Sequence, residues 1–300
     1  MSPLFRGAVY GISAAAIWGG MYVVSDVVLR TIPPFTLLTI RLLIAVVILG
    51  IAARRSGAAL PDRRSLTSIL SIGFIGFGIS LGAQFVGTDF STAVNGALIT
   101  SASPAFILLF ASLVLREQLT ARRIAAVLLA TAGVIVIVDL AQIDFGSDYF
   151  VGNLALALAA LTWGLYSVLV RRASSRVETL MFSFLAPIGG LALTIPAAVL
   201  ELNSRPVGSI DVEIILGILY LGVISTAVAM FLWNRAFALV DASVASLFFF
   251  AQPLVGTLLG VALLGQEMTA NLWVGSLLIT LGVLLSLSRP MPAPPKAEAE

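Results

Sequence analysis

Arg41 is the only charged residue between Pro34 and Ala53, and it lies about eight residues, or roughly 12 Å of helix, from the start of that apolar run. A cation at such depth is costly and must find partners. It can hold a solute carboxylate, gate by exchanging partners, or cap backbone carbonyls of a neighbouring helix. Two aromatic pairs have comparable chemical promise. Trp18 and Tyr22 are four residues apart, and Trp163 and Tyr166 are three apart, so each pair shares a helix face. Rings with an apolar face and a polar edge suit an amphipathic solute; the plainer alternatives are packing and interfacial belts, and the mid-run depth of these residues argues against belts.

Neutral hydrogen-bonding groups accompany them. Gln84, Asn95, Gln252, Ser101 and Ser103 lie in apolar runs and can recognise ammonium or carboxylate groups, or tie helices to one another at about 0.6 kcal/mol each. Phe248, Phe249 and Phe250 are consecutive and cannot all face one way; Phe248 is the one expected at a cavity wall, with the others against lipid or neighbouring helices. Pro104 and Pro253 each remove a helical hydrogen bond and are expected as paired hinges or static kinks.

Other chemistry is excluded by what the chain lacks. There is no Cys and no His, and Lys296 is the only lysine. Thiolate nucleophiles, His proton relays and a phosphate-loop lysine are therefore absent, and zinc would have to rely on carboxylates alone. No cofactor and no metal are expected. Gly78-Ile-Ser-Leu-Gly82 matches the G-x-S-x-G nucleophile pattern, but without a histidine for a triad the match is a coincidence. Asp26, Asp89, Glu117 and Glu267 fall near the ends of apolar runs rather than at their centres, so none is placed to carry a proton at mid-depth.

The elements that must position these residues are membrane helices. The chain is 59% hydrophobic and 11% charged, with a mean hydropathy of +1.08. Ten apolar stretches fill it: Gly7 to Leu29, Pro34 to Ala53, Leu66 to Val86, Thr92 to Leu115, Ala121 to Val138, Phe150 to Val170, Thr179 to Leu200, Val212 to Asn234, Ser243 to Leu264 and Leu272 to Ser288. About twenty residues of helix cross a bilayer, where the backbone must satisfy its own hydrogen bonds. Short connections make consecutive helices antiparallel. With the N-terminus inside, 14 of the 17 basic residues fall on inner segments, Arg30 and Arg205 on outer loops, and Arg41 within a span. Both termini are therefore expected in the cytoplasm of a bacterial inner-membrane protein. The opening apolar stretch is longer than a signal-peptide core and reads as a retained first helix.

The two halves echo each other. Pro104 and Pro253, Leu115 to Thr120 and Leu264 to Thr269, and Thr131-Ala-Gly-Val134 and Thr280-Leu-Gly-Val283 all share an offset of 149 residues. Trp18-Gly19 and Trp163-Gly164 follow at nearly the same offset. Five helices per half force the second copy to start from the opposite side, and inverted repeats are characteristic of secondary transporters, although some channels have them too. The expected fold is an all-α integral membrane protein of ten transmembrane helices in two inverted five-helix repeats around a central cavity. Residues 1–6 form a cytoplasmic N-terminus, 7–138 the first repeat, 139–149 an extracytoplasmic connector, 150–288 the second repeat and 289–300 a disordered cytoplasmic tail.

Trp-Gly early in each half, Pro34 before Arg41-Leu-Leu-Ile-Ala, Pro104 and Pro253 in the fourth and ninth spans, and the Glu/Thr turns before the fifth and tenth together resemble the EamA type of the drug/metabolite transporter superfamily. The resemblance runs from about residue 7 to 288 and is nearest to the amino-acid exporters, including those of the YddG aromatic type. It implies a basket of ten helices whose cavity is lined mainly by the third, fourth, eighth and ninth, with help from the first and sixth. The chain departs from a symmetric pattern in having no counterpart of Arg41 in its second half, and Glu267 is shifted by one against Glu117.

The expected activity is export of small amphipathic metabolites, above all neutral and aromatic amino acids, by alternating access. One buried cation and no mid-depth carboxylate suit zwitterions better than polyanions and favour facilitated efflux, with coupling through Asp26 as the alternative. Multidrug or nucleobase efflux within the same superfamily is the near alternative; an intramembrane enzyme, or a bundle without a cavity, are those of another class. The implied partners are a small-molecule substrate and the lipid bilayer, not nucleic acid, with the chain a monomer or a homodimer.

Overall fold

The computed structural model describes residues 2–91, 96, 99–137, 149–255 and 270–287, and among these every regular element is helical. Asn95, Glu267, most of the connector and the C-terminal tail lie outside the described residues, as do the side chains of Tyr22 and Asp26. Five helices are long and apolar enough to span a membrane: α3 (Pro34–Arg55), α4 (Arg63–Asp89), α7 (Phe150–Ala173), α8 (Thr179–Ser204) and α9 (Val212–Leu239). Shorter helices complete the bundle: α1 (Pro3–Gly19), α2 (Met21–Leu29), α5 (Ser103–Val114), α6 (Ala121–Ile137), α10 (Ala242–Val255) and α11 (Ala270–Leu287).

Local chemistry sets the helix ends. The Ser2 hydroxyl accepts from Phe5 N and precedes Pro3, Asp62 accepts from Arg64 N to start α4, and Asp211 accepts from Ile214 N to start α9. Arg54 and Arg55 close α3 where the helix dipole favours cations. Carboxylates distant in sequence cap two more. Glu201 accepts from the backbone N–H groups of Phe35 and Thr36 at the start of α3, and Glu117 from those of Ala242 and Ser243 at the start of α10. Glu117, expected only at a boundary, is thus held as a cap.

The single first span expected from Gly7 to Leu29 is instead two helices meeting at Gly20. The Gly19-Gly20 pair has little helix propensity. Gly20 N–H bonds Ile17 O in a tight turn, and the Tyr220 hydroxyl also donates to that carbonyl at 2.6 Å. The third and eighth spans each widen into a π-helical segment, Phe74–Ser80 in α4 and Tyr220–Val228 in α9. Such turns release carbonyls from the regular ladder and recur at functional sites. Pro104 is not mid-helix. It lies in the first turn of α5, directly after a turn at Ser101–Ala102, where a missing N–H costs nothing. Pro253 follows a 3-10 stretch, Ser246–Phe250, whose tighter winding removes hydrogen bonds that the proline would obstruct.

The halves meet through equivalent helices. α3 packs along α8, and α6 along α11. In the second pair the contacts are reciprocal. A methyl on Gly133 would come within 2.7 Å of Gly275 O and 2.8 Å of the Ile279 side chain, while one on Gly282 would come within 2.8 Å of Ala126 O and 2.9 Å of Ala130 Cβ. Each partner stands 149 residues from its counterpart, the reciprocity of a two-fold axis between the helices. Small residues there let the backbones touch.

Candidate functional site

Between α1, α4, α7, α9 and α10 lies a central cavity of about 30 Å³, room for one or two waters. Its wall is aromatic. Trp18, Trp163 and Phe249 line it; Trp18 meets Trp163 edge to face with centroids 5.6 Å apart, and Trp233 packs behind them, 5.3 Å from Trp18, 6.1 Å from Trp163 and 5.9 Å from Phe249. Gln84 and Gln252 supply amides, Ser80 a hydroxyl, and Met21 and Met230 deformable thioethers. Among the described residues no carboxylate lines it.

The π-helical segments build two parts of this wall. In α9 the segment presents Ser225 O to Trp18 Nε1 at 3.0 Å, and turns the Thr226 and Ser225 hydroxyls toward Arg41, at 3.0 Å from Nε and 3.4 Å from Nη2. In α4 it ends at Ser80, whose hydroxyl donates to Ala159 O on α7 at 2.9 Å. That bond, on a helix and with no histidine in the chain, leaves no nucleophile in the G-x-S-x-G match.

Arg41 is fully buried. Its guanidinium lies 4.7 Å from the Phe85 ring centroid, and Nη2 also approaches Met21 Sδ at 3.8 Å. It has no carboxylate partner among the described residues, and Nη1 has no hydrogen-bond partner at all. Met21 both touches Arg41 and lines the cavity, so the cation lies directly behind the wall.

Of the residues expected at the site from sequence, Trp18, Gln84, Trp163 and Gln252 come together in the cavity wall. Tyr166 is fully buried beneath it. Its ring fills the space beside Gly76 and meets Phe77 edge to face, and its hydroxyl donates to Asn234, whose amide donates to Ser183. Phe248 does not face the cavity but packs on Gly11; Phe249 takes the wall, and Phe250 joins Leu108, Ala126 and Ile279. All three rings are buried, so none of them meets lipid. Trp233 was missed, although it is one of only four tryptophans and sits within an apolar run. Its Nε1 donates to Ser167 at 3.2 Å, which turns the indole inward.

Charged groups hold the two ends of the bundle. At one end Arg205, just past α8, pairs with Asp89 and donates to Leu29 O; the hydrogen bond to Asp89 pushes the guanidinium above its ordinary pKa. At the other, Arg123 pairs with Asp241 at 2.6 Å, and Arg171 donates to Phe237 O and Ala238 O. Asp89 and Glu117 therefore serve opposite ends and do not converge, and no group of three carboxylates able to hold a metal occurs among the described residues.

Comparison with known proteins finds that the EamA-like transporter family model matches residues 5–139 and 150–288. The permease-like protein YdzE of Bacillus subtilis is 57% identical over 67 residues, 22% of this chain and 86% of its own. An uncharacterized transporter of Archaeoglobus fulgidus is 22% identical over 275 residues, 91% of this chain and 94% of its own. YcxC of Bacillus subtilis, also an uncharacterized transporter, is 25% identical over 89% of this chain and 88% of its own. A crystal structure 21% identical to this chain shares its fold with a TM-score of 0.79, over 93% of this chain and 96% of the other.

Proposed function

The chain belongs to the EamA-like transporter family, a family of multi-pass membrane transporters, and from that premise we propose that it exports small amphipathic metabolites, neutral and aromatic amino acids foremost, by alternating access. The observation that carries the reading is the Arg41 guanidinium, buried behind an aromatic cavity, without a counter-charge among the described residues and with Nη1 unpaired among them. A buried cation lacking a partner is costly, and a solute carboxylate drawn past Met21 would supply one. Trp18, Trp163 and Phe249 would hold the apolar part of the solute, and the amides of Gln84 and Gln252 its polar groups.

The cavity as described holds water-sized occupants only, which fits a closed stage of the cycle. Opening requires a device, and the repeat offers one. Trp163 and Ser225 stand 145 residues after Trp18 and Ser80 respectively, so Trp163 is to Ser80 as Trp18 is to Ser225. Trp18 Nε1 bonds Ser225 O, whereas Trp163 Nε1 is buried without a partner. In the mirrored state Trp163 bonds Ser80 O and Trp18 is released. Each half then takes the conformation that the other half had, and the cavity opens to the other face. The described residues of the cavity wall include no carboxylate, which favours facilitated efflux over proton coupling.

The test is efflux from proteoliposomes loaded with labelled amino acids, with and without an imposed pH gradient. Saturable release of neutral or aromatic amino acids, independent of the gradient, is expected. Absence of saturable release for every amino acid would overturn the substrate reading, and release only with a gradient would overturn facilitated efflux.

A further inference from the structure

A second cavity, a groove of about 380 Å³, runs between the start of α4 and the end of α7. The exposed Arg64, Arg172 and Arg176 mark its mouth, the less exposed Ile75 and Leu169 its floor, and Ser65, Ser68 and Ser71 also line it. Among the described residues no acidic side chain lines it. The three guanidiniums make no hydrogen bond or ion pair among the described residues.

The groove does not open toward the central cavity. On α7, Trp163 and Ser167 face Trp233 of α9, and Arg171 reaches the α9 carbonyls. Arg172 is exposed and lies roughly 140° around the helix from Ser167, and Arg176 is exposed in the turn just past the helix end. They sit on the outer surface of the bundle, where lipid lies.

We propose that this groove binds the phosphate head group of an anionic glycerophospholipid. The arginines and the Ser68 and Ser71 hydroxyls hold the phosphate oxygens, and the acyl chains lie on Ile75 and Leu169. Guanidinium forks match phosphate geometry, and basic pockets between membrane helices bind such head groups. A free phosphate would satisfy the mouth and leave the apolar floor unused, which favours the lipid. The inference needs only that the chain spans a bilayer and is independent of the substrate reading.

The test titrates the purified full-length protein in a neutral detergent with phosphatidylglycerol, phosphatidylcholine or inorganic phosphate. Retained lipid is counted by native mass spectrometry, and unfolding temperature is followed in parallel. Phosphatidylglycerol is expected to bind and stabilise; phosphatidylcholine and inorganic phosphate are not. R64Q/R172Q/R176Q should weaken phosphatidylglycerol binding at least about tenfold, while R54Q/R55Q, exposed at the end of α3 and outside the groove, should leave it within about twofold. If the triple variant does not fold, R172Q alone should weaken binding about fivefold. Equal binding of phosphatidylcholine, a full effect from inorganic phosphate alone, or equal weakening by R54Q/R55Q would each overturn the proposal.

Discussion

Trp18 and Trp163 occupy equivalent places in the two halves of the chain and meet edge to face at its centre, yet only Trp18 has an acceptor for its indole N–H. The sequence is nearly symmetric at this point and the structure is not. A two-fold related pair in which one bond is made and its twin is not is what one of two mirrored states should look like. The same asymmetry surrounds Arg41, which has no counterpart in the second half and is served by hydroxyls of a single π-helical segment.

If Arg41 serves a solute, its removal should separate stability from transport. R41Q is expected to lower saturable efflux more than about tenfold while the unfolding temperature stays level or rises, because a buried unpaired cation is lost. Parallel thermal unfolding and efflux assays check this. Loss of stability in step with transport would make Arg41 a structural tie only.

The reciprocal contacts of Gly133 and Gly282 predict matched damage. G133A and G282A should each cost on the order of 1–3 kcal/mol, since each new methyl meets a backbone carbonyl at 2.7–2.8 Å. Unfolding in detergent measures both. Markedly unequal costs would contradict a two-fold axis between α6 and α11.

The pairing of Asp89 with Arg205 joins the halves at one end only. Arg205 is partly exposed, so D89N should cost at most about 1 kcal/mol. Its effect should be on opening, with up to about fivefold more labelling of probes at that end and little change at the other. The guanidinium stays charged at any pH that a transport assay uses, because Asp89 pushes its pKa up. Impermeant-reagent labelling from each side reads the difference.

Much of the architecture is legible in composition and spacing. Runs such as Pro34–Arg55 and Thr179–Ser204 are apolar for their whole length, and the offset linking Pro104 to Pro253 also links Gly133 to Gly282. Trp18, Gln84, Trp163 and Gln252 could be chosen because polar or amphipathic side chains are scarce at such depth. Changes of helix type were not legible. A π-helical turn inserts a residue without altering the hydrophobic pattern, so the turning of Ser225 and Thr226 toward Arg41 leaves no trace in the sequence. The 3-10 stretch Ser246–Phe250 shifts the rotation per residue, which is why Phe249 and not Phe248 reaches the cavity. The break at Gly20 was signalled by two adjacent glycines, but an apolar run on both sides masked it.

The exchange of tryptophan partners can be tested most directly by two-sided accessibility of a cysteine at Ala159 in the cavity wall; the chain has no cysteine of its own. In A159C, membrane-impermeant maleimide should reach the thiol from either face. Added W18F, which removes the bond to Ser225 O, and W163F, which forbids its twin, should shift the balance in opposite directions by about fivefold, the worth of one hydrogen bond. A thiol reached from one face only, or two variants that shift the balance the same way, would contradict alternating access through mirrored halves.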